Sequence, residues 1–579
     1  MKSKAFVCDT ETTIEEVPRV WAWEALEVGD VDNPTRGIDI DSLVNWLLSD
    51  NREVYFHNLK FDVSYIMSWL FTHGFEHTEE RNPNDGQFTS LISDAGVYYV
   101  VTIKNNGHTC RLLDSYKLIS MKAEDIAKAY KLDFRKLTIN YDDYRPVGYE
   151  PTHHEWDYVH ADVAIISQAL AILFDTGMTK ITQSSNALAD YITLTTEKIY
   201  NRRFPELDNE VDKFCRLAYY GGSTQVNDIY KGKLLGHGRV YDVNSMYPWA
   251  MRTQYLPYGE PIKFSGKPDF DDGFLHITKF SCWFKLKPDH IPCIMGRHIS
   301  RFKYEKFLYD SAGEIVELTL TDIDIKLMFE QYDIKFLTWH GGYKFKKSKS
   351  LFKDYIDKWY KVKEEATVSG NAPMRAIAKD MMNKLSGKFG VRPILLRKIP
   401  YYDGRIKHRL SEKEESPARK GYVPVIAYTT AYGRDKIIRG AQMNYERFVY
   451  MDTDSLHILG DDPPVGVEID HTKLGAFDHE GSFLHIKALH AKCYTEQMIV
   501  SRETMESLIL KEVKKPEDFT PYGDMFTYQK VTVAGLPSNC HKQVTFDNFE
   551  AGCVYTGKLA PKMKSTGILL TETTFTIKG

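Results

Sequence analysis

The sequence predicts an α+β protein built from several domains, and three observations carry that prediction. Its 579 residues are enough for three or four hydrophobic cores. Short apolar runs of strand length alternate along the chain with longer stretches of helical periodicity. Several of the strand-like runs end in acids. The sharpest case is Phe448-Val449-Tyr450, which passes through Met451-Asp452-Thr453-Asp454-Ser455 into Leu456-His457-Ile458-Leu459. An apolar run, an acidic turn and a second run read as a β-hairpin with carboxylates at its tip. Asp452 and Asp454 are two apart, so in extended chain they leave the same face. A cation relieves their repulsion, and hard cations such as Mg²⁺ prefer carboxylate oxygen. Taken alone, a polar hairpin turn explains the stretch equally well.

Composition narrows the class. Hydrophobic residues make up 43% and charged residues 27%, which is ordinary for a globular protein. No apolar run approaches the roughly eighteen residues of a membrane span. The start, Met1-Lys2-Ser3-Lys4, leads straight into a short strand-like run, so the expectation is a protein that is neither exported nor membrane-bound. The eight cysteines show no metal-binding spacing, and free thiols are expected. Net charge is −4, but it is unevenly spread. Residues 1–50 hold 11 acids against 4 Lys or Arg, residues 344–363 hold eight lysines, and residues 526–579 carry six lysines against three acids. Basic stretches behind an acidic front suit local binding of a phosphate backbone, although a solvated helix face explains any one of them.

Taken in order, Ala5-Phe6-Val7-Cys8 reads as a buried strand followed by Asp9-Thr10-Glu11. Tyr55-Phe56 enters the polar turn His57-Asn58-Leu59-Lys60-Phe61-Asp62, and Val63 to Phe71 is helical. His153 to Leu173 has helical periodicity and places Tyr158 and Asp162 on one face. Asp9, Glu11, Asp62 and Asp162 together suit two metal ions about 4 Å apart, the arrangement for in-line attack of water on a phosphodiester. Tyr158 would orient that water.

Asp9-x-Glu11, Asn58-x-x-x-Asp62 and Tyr158-x-x-x-Asp162 resemble the 3′–5′ exonuclease domain of B-family DNA polymerases. The resemblance implies a ribonuclease-H-like fold, with Asn58, Phe61 and Ser115 holding a frayed primer end and Lys136 supporting catalysis. Tyr116 departs from the Leu usual after that Ser.

The resemblance continues to the end of the chain. Tyr219-Tyr220-Gly221-Gly222 is similar to the Tyr-x-Gly-Gly linker, in which Tyr219, Gly221 and Gly222 contact template DNA. Asp242-Val243-Asn244-Ser245-Met246-Tyr247-Pro248 is similar to the first polymerase motif, with Met246 in place of Leu. By this likeness Asp242, Asp454 and the Val243 backbone bind two Mg²⁺ ions with Asp452 beside them, Mn²⁺ being able to substitute. Tyr247 excludes a ribose 2′-OH. Asp242 and Lys379 are 137 positions apart, which leaves room for an inserted subdomain. Leu351 to Glu365 and Met374 to Phe389 read as helices, the second carrying Arg375, Lys379, Asn383 and Gly387 as one stripe for the dNTP triphosphate. Ser386 stands where the family has Tyr.

Residues 391–421 form a second insertion around the hairpin signal Asp403-Gly404. Thr430 and Arg434 match a template contact, Lys492 and Tyr494 a primer-terminus motif, and the basic tail the thumb. The chain is identified as a member of the protein-primed B-family polymerases of the phi29-like phage type. The expected right-hand architecture is exonuclease 1–182, palm 183–253, a terminal-protein-docking insertion 254–353, fingers 354–390, a processivity and strand-displacement insertion 391–421, palm 422–525 and thumb 526–579. The resemblance implies primer–template DNA, dNTPs, a separate terminal protein as primer and a single-stranded-DNA-binding protein as partners. It also implies a monomer acting in the cytoplasm of an infected bacterium. A reverse transcriptase would place its hairpin acids side by side. A non-enzymatic replication factor would have lost acids, and all seven metal-site acids are present.

Overall fold

The computed structural model describes every residue except 1–3, 393, 413, 416–420, 511–512 and 579. The Met1-Lys2-Ser3 start and those parts of the predicted 391–421 insertion lie outside the described residues.

An eight-stranded sheet organises the N-terminal part. Its centre is three parallel strands, Lys4–Thr12, Arg52–Phe56 and His108–Asp114. Alternation along the first strand sets both cores. Val7 packs into the layer that holds Val159, Val163 and Ile166 of the helix His153–Asp175. Cys8 faces the opposite layer, with Val63, Ile66 and Leu70 of the helix Lys60–Thr72. Asp9 and Glu11 therefore share Val7's side, and Thr10 turns to the other. His153–Asp175 opens with a capping box between Thr152 and Glu155, which satisfies its first amides. It is long and apolar enough to cross a membrane by length and composition, but most of it is buried in this core.

A nine-stranded antiparallel sheet forms the second centre. In spatial order its main strands are Phe519–Tyr522, Met525–Val533, Cys493–Val500, Phe477–His490, Gly238–Val243, Ser455–Leu459, Phe448–Asp452 and Thr224–Val226. One face packs Tyr241, Val243, Phe448, Met451 and Leu456 with Ile437 and Ile438 of the helix Val423–Gln442. The other carries Val240, Tyr450, Tyr494 and Met498. Period-2 alternation puts Asp242, Asp452 and His457 on this second face.

In the predicted inserted subdomain, Leu275–Leu286 forms one long strand of a four-stranded sheet within residues 256–348. One strand of the central sheet crosses the expected thumb boundary at 526. Met525–Val533 pairs along Cys493–Val500 over its whole length and so belongs to the central sheet.

The last hairpin, Val554–Met563 with Ile568–Thr576, reaches back to the N-terminal domain. Tyr65 Oη donates to the Ile568 carbonyl at 2.6 Å, and the Ile568 amide donates to Ser64 Oγ at 3.0 Å. A Cβ at Gly567 would collide with the Tyr65 ring at 2.4 Å, so glycine is required there. The Asp-Gly hairpin forms as expected, as Lys398–Tyr402 with Ile406–Leu410, and Gly404 takes a positive φ. It docks on the N-terminal sheet through Tyr98 Oη to His408 Nε2 at 2.8 Å and an Arg409–Glu79 ion pair.

Burial pushes His408 and nearby His77 down to about 4, with the Arg397, Arg409 and Lys398 charges adding to the effect and Glu79 opposing it at His77. Below the ordinary histidine value the unfolded chain takes up protons that these rings refuse. Docking is thus fully stable above about pH 6.5 and weakens as the pH falls from there towards 4. Hydrogen exchange of Lys398–Leu410, corrected for intrinsic rate, should accelerate across that window, and His408→Gln should flatten the response. Unchanged protection would show that these rings do not hold the interface.

Candidate active sites

The N-terminal site gathers at the ends of the central parallel strands. Carboxylate oxygens of Asp9, Glu11 and Asp162 all lie within 4.8 Å of one another. Burial, and then mutual repulsion with Asp62 among the neighbours, holds Asp9 and Glu11 far above the usual carboxylate range. Asp162 is raised by burial against the pull of Lys136, whose Nζ is 2.5 Å from Oδ2. Asp162 Oδ1 is buried without a hydrogen-bond partner. Three converging acids and an orphaned carboxylate oxygen fit a divalent cation.

Asp62 stands outside this triad. Thr10 holds its Oδ1 through the amide at 3.2 Å and the hydroxyl at 2.7 Å. Tyr158 Oη bonds Tyr141 Oη at 2.7 Å, a partner the motifs did not reveal.

A cavity of about 1390 Å³ opens over these acids, lined by Asn58, Phe61, Tyr116, Tyr141 and, from the terminal hairpin, Leu559, Ile568 and Leu570. Asn58 takes a positive φ, and its amide is held by Asp114 Oδ1 at 3.1 Å. Ser115, expected as a primer contact, lies beneath the cavity surface. It is 0% exposed, and its hydroxyl is shared between His57 Nδ1 at 2.9 Å and the Phe56 carbonyl at 3.1 Å. Its neighbour Tyr116 faces the cavity instead.

The second site lies on the polar face of the nine-stranded sheet. Asp242 pairs in register with Ser455, and the Val243 amide donates to the Asp454 carbonyl at 2.9 Å. This bond fixes the acidic hairpin beside Asp242's strand. The turn residue Thr453 has φ 60° and donates its amide to the Ser223 carbonyl at 2.7 Å. Across that turn both hairpin acids line one cavity, and Asp452 repels Asp454, in keeping with the extended-chain reading. Asp454 joins Asp242. Asp452 is bound by Lys492 Nζ at 2.6 Å, Thr224 Oγ1 at 3.1 Å and Tyr450 Oη at 3.2 Å.

Burial, then repulsion from Asp454 and Glu480, pushes Asp242 up to about 8. Asp454 is also raised, chiefly by burial. A cavity of about 390 Å³ exposes Asp242, Asp452, Asp454, Glu480, Lys492, Tyr494 and Lys530. The motifs missed Glu480. A register shift beside Val240 leaves it without a cross-strand partner, and such bulges re-aim side chains.

On the helix Ala372–Lys388, Arg375 and Lys379 are exposed and Asn383 is half-buried, as the stripe requires. Lys379 lies close enough to Asp242 to oppose its upward shift. Lys363, on the helix Lys353–Val368, is pushed down by burial and by Arg375 and Lys379. Three converging cations call for a polyanion. Ser386 is buried and bonds the Asn383 carbonyl. Tyr247 packs where Gly433 leaves room, since a Cβ there would meet Met246 at 2.8 Å and Tyr247 at 3.2 Å.

Thr430 and Arg434, expected as template contacts, are both buried and bonded within the protein. The Thr430 hydroxyl bonds the Ile426 carbonyl of its own helix at 3.0 Å. Arg434 is 2% exposed and forks onto Asp324, at 2.9 Å to each oxygen, while donating to the Tyr220 and Gly221 carbonyls at 2.7 and 2.8 Å. It shapes the Tyr219–Gly222 segment from beneath. Gly222 in turn lies against Thr453, where a Cβ would sit 2.7 Å from the threonine methyl.

Comparison with known proteins agrees with this architecture. Residues 46–155 and 139–465 match the family described as DNA polymerase type B, organellar and viral. The chain is 37% identical to the DNA polymerases of Bacillus phages Nf and phi29, covering 100% of each protein. It is 31% identical to that of Streptococcus phage Cp-1, over 93% of this chain and 90% of the relative. The phi29 DNA polymerase solved with primer–template DNA and incoming nucleotide superposes with a TM-score of 0.90, at 35% identity and full coverage of both chains. Two acid-lined sites, one on each sheet, are what an exonuclease domain joined to a right-hand polymerase requires. The chain belongs to the phi29-like phage branch of the type-B DNA polymerases, and it is a DNA-directed DNA polymerase with a 3′–5′ exonuclease domain.

Removing Arg434 leaves Asp324 buried and uncharged-for and frees two loop carbonyls. Arg434→Ala should cost about 3–5 kcal/mol and slow primer extension, read as a lowered thermal midpoint of the intact chain. An unchanged midpoint would show that the pair contributes nothing.

Proposed function

We propose that the Asp242–Asp454 site extends a DNA primer and that the Asp9–Glu11–Asp162 site removes mispaired 3′ ends. The observation that carries this is the meeting of Asp242 and Asp454 in one cleft, with Lys379 near enough to act on Asp242 and itself clustered with Arg375 and Lys363. Asp242, Asp454 and the Val243 backbone would hold Mg²⁺, two ions per site, as Asp9, Glu11, Asp62 and Asp162 would in the N-terminal site. Mn²⁺ is an acceptable substitute. Bound there, the ions supply Lewis acidity towards phosphate oxygens and an activated hydroxyl.

The protein's own groups do the rest. Arg375, Lys379, Lys363 and Asn383 grip the dNTP triphosphate and orient its α-phosphorus for attack by the primer 3′-OH, so that the 3′-oxygen–phosphorus bond forms as the bond from the α-phosphorus to pyrophosphate breaks. Tyr247, wedged against Gly433, walls the sugar site. Lys492 holds Asp452 and, with Tyr494, borders the primer end. In the N-terminal site, Tyr158 and Tyr141 form a hydroxyl pair that positions water, and Lys136 steadies Asp162. Asn58, Phe61 and Tyr116 receive the frayed end.

The subdomain assignment is exonuclease 1–182, palm 183–253 and 422–533, fingers 354–390 and thumb 534–579. Residues 254–353 would dock a terminal protein whose hydroxyl replaces the primer at initiation, and 391–421 would support strand displacement. A single-stranded-DNA-binding protein and the cytoplasm of an infected bacterium complete the setting.

Primer extension and primer degradation, assayed with Mg²⁺ on labelled primer–template, separate the sites. Asp454→Ala should cut extension more than about a hundredfold and keep degradation, and Asp9→Ala should do the reverse. Chelation should abolish both, and added Mg²⁺ should restore them. Extension that survives Asp454→Ala overturns the assignment.

A further inference from the structure

The sheet face that carries Asp242 also carries a buried ionic chain that the mechanism above does not use. His457 is 1% and Glu496 0% exposed, and His457 Nδ1 lies 2.6 Å from Glu496 Oε1. Two strands separate theirs in the sheet order. In a flat sheet, three strand steps would hold them about 14 Å apart, so their contact requires the sheet to curl over on itself. The Tyr450 and Tyr494 rings close on the imidazole, each with its centroid 5.2 Å away.

The chain continues into the cleft. Lys530 lies directly opposite Glu496 in the strand register and therefore on the same face. Its Nζ is 3.6 Å from Glu496 Oε2, an atom with no hydrogen-bond partner. The Lys530 side chain is 39% exposed and lines the cavity that holds Asp242, Asp454 and Glu480. Of the two lysines lining that cavity, Lys492 is committed to Asp452. An ammonium has three donors, and the single buried acid beneath Lys530 leaves donors facing the cavity.

We propose that Lys530 is a further primer-strand residue, binding a backbone phosphate near the primer end, and that Glu496, fixed by His457, positions it. The inference rests on the assignment of the Asp242–Asp454 cleft to primer extension. If the strand enters there, it carries phosphates past a cleft wall on which Lys530, paired at 3.6 Å with the buried Glu496, still presents donors.

The test is primer–template affinity by fluorescence anisotropy as a function of salt, without divalent ions. It compares the full-length protein with Lys530→Ala, Lys530→Arg and the double variant Lys530→Ala/Glu496→Gln. Lys530→Ala should bind roughly tenfold more weakly at low salt, and its log Kd against log salt should lose about one unit of slope. Lys530→Arg should keep most of the affinity. The double variant, which removes the uncompensated buried charge, should regain the thermal midpoint and stay weak in binding. If it regains affinity and slope as well, Lys530 only neutralises Glu496 and the proposal falls. Unchanged affinity and slope in Lys530→Ala also overturn it. Extension by Asp454→Ala, measured alongside, reports on the cleft assignment itself. If that variant is inactive while Lys530→Ala binds normally, only the Lys530 inference fails.

Discussion

Both sites depend on holding carboxylates together against their own repulsion. The work is done by backbone, because no side-chain contact between like charges can do it. In the second site the dependence runs through a definite chain. Asp324 holds Arg434, and Arg434 holds the Tyr220 and Gly221 carbonyls. That loop carries Gly222 and Ser223 against Thr453. Thr453 takes its positive φ, and Asp454 is delivered to the strand of Asp242 through the Val243 amide. The hydrogen bonds along this chain are short and its Arg434–Asp324 anchor is buried, so the acids are placed before any cation arrives. Arg434, which resembles a DNA contact in sequence, is in this fold part of the scaffold for the metal-site turn.

How far the sequence reached can be argued from particular residues. Acids at fixed spacing were legible because their spacing is a consequence of secondary structure. Asp9 and Glu11 follow from strand alternation, Tyr158 and Asp162 from a helix face, and the Arg375–Lys379–Asn383 stripe from i,i+4 geometry. What packs against a face was not legible. Ser115 and Thr430 carry the right hydroxyls, but both are consumed by carbonyls the sequence does not place beside them. Glu480 lies at a bulge, and a bulge depends on the partner strand. Tyr141 and the terminal hairpin reach the N-terminal cavity only through tertiary folding. The strand Met525–Val533 reads as part of a basic tail because its charge is visible and its register is not.

The terminal hairpin ties the two centres into one object. It lines the cavity above Asp9 and Glu11, its tip is fastened to the helix Lys60–Thr72, and Tyr402 of the Asp-Gly hairpin donates to the Ser565 carbonyl beside that tip. The same C-terminal segment begins beside the polymerase cleft, where Lys530 stands. A strand end passing from one acid cluster to the other would therefore run along a continuous piece of chain.

The two clusters solve their charge problem in the same way. In each, one lysine binds one acid at short range, Lys136 on Asp162 at 2.5 Å and Lys492 on Asp452 at 2.6 Å. Each then leaves a pair that the lysines do not fully compensate, Asp9 with Glu11 against the pull of Lys136, and Asp242 with Asp454 against that of Lys379 and Lys492, while Asp62 or Glu480 adds further repulsion. Lysine alone cannot complete the compensation. A further ammonium placed between such a pair would compete with a metal ion for the same oxygens. Leaving two burial-destabilised carboxylates unpaired selects a small divalent ion instead, since only a doubly charged ligand matches the residual charge. The upward shifts at Asp9, Glu11 and Asp242 share one cause, the burial of carboxylates beside one another, and a divalent ion at either site would relieve it.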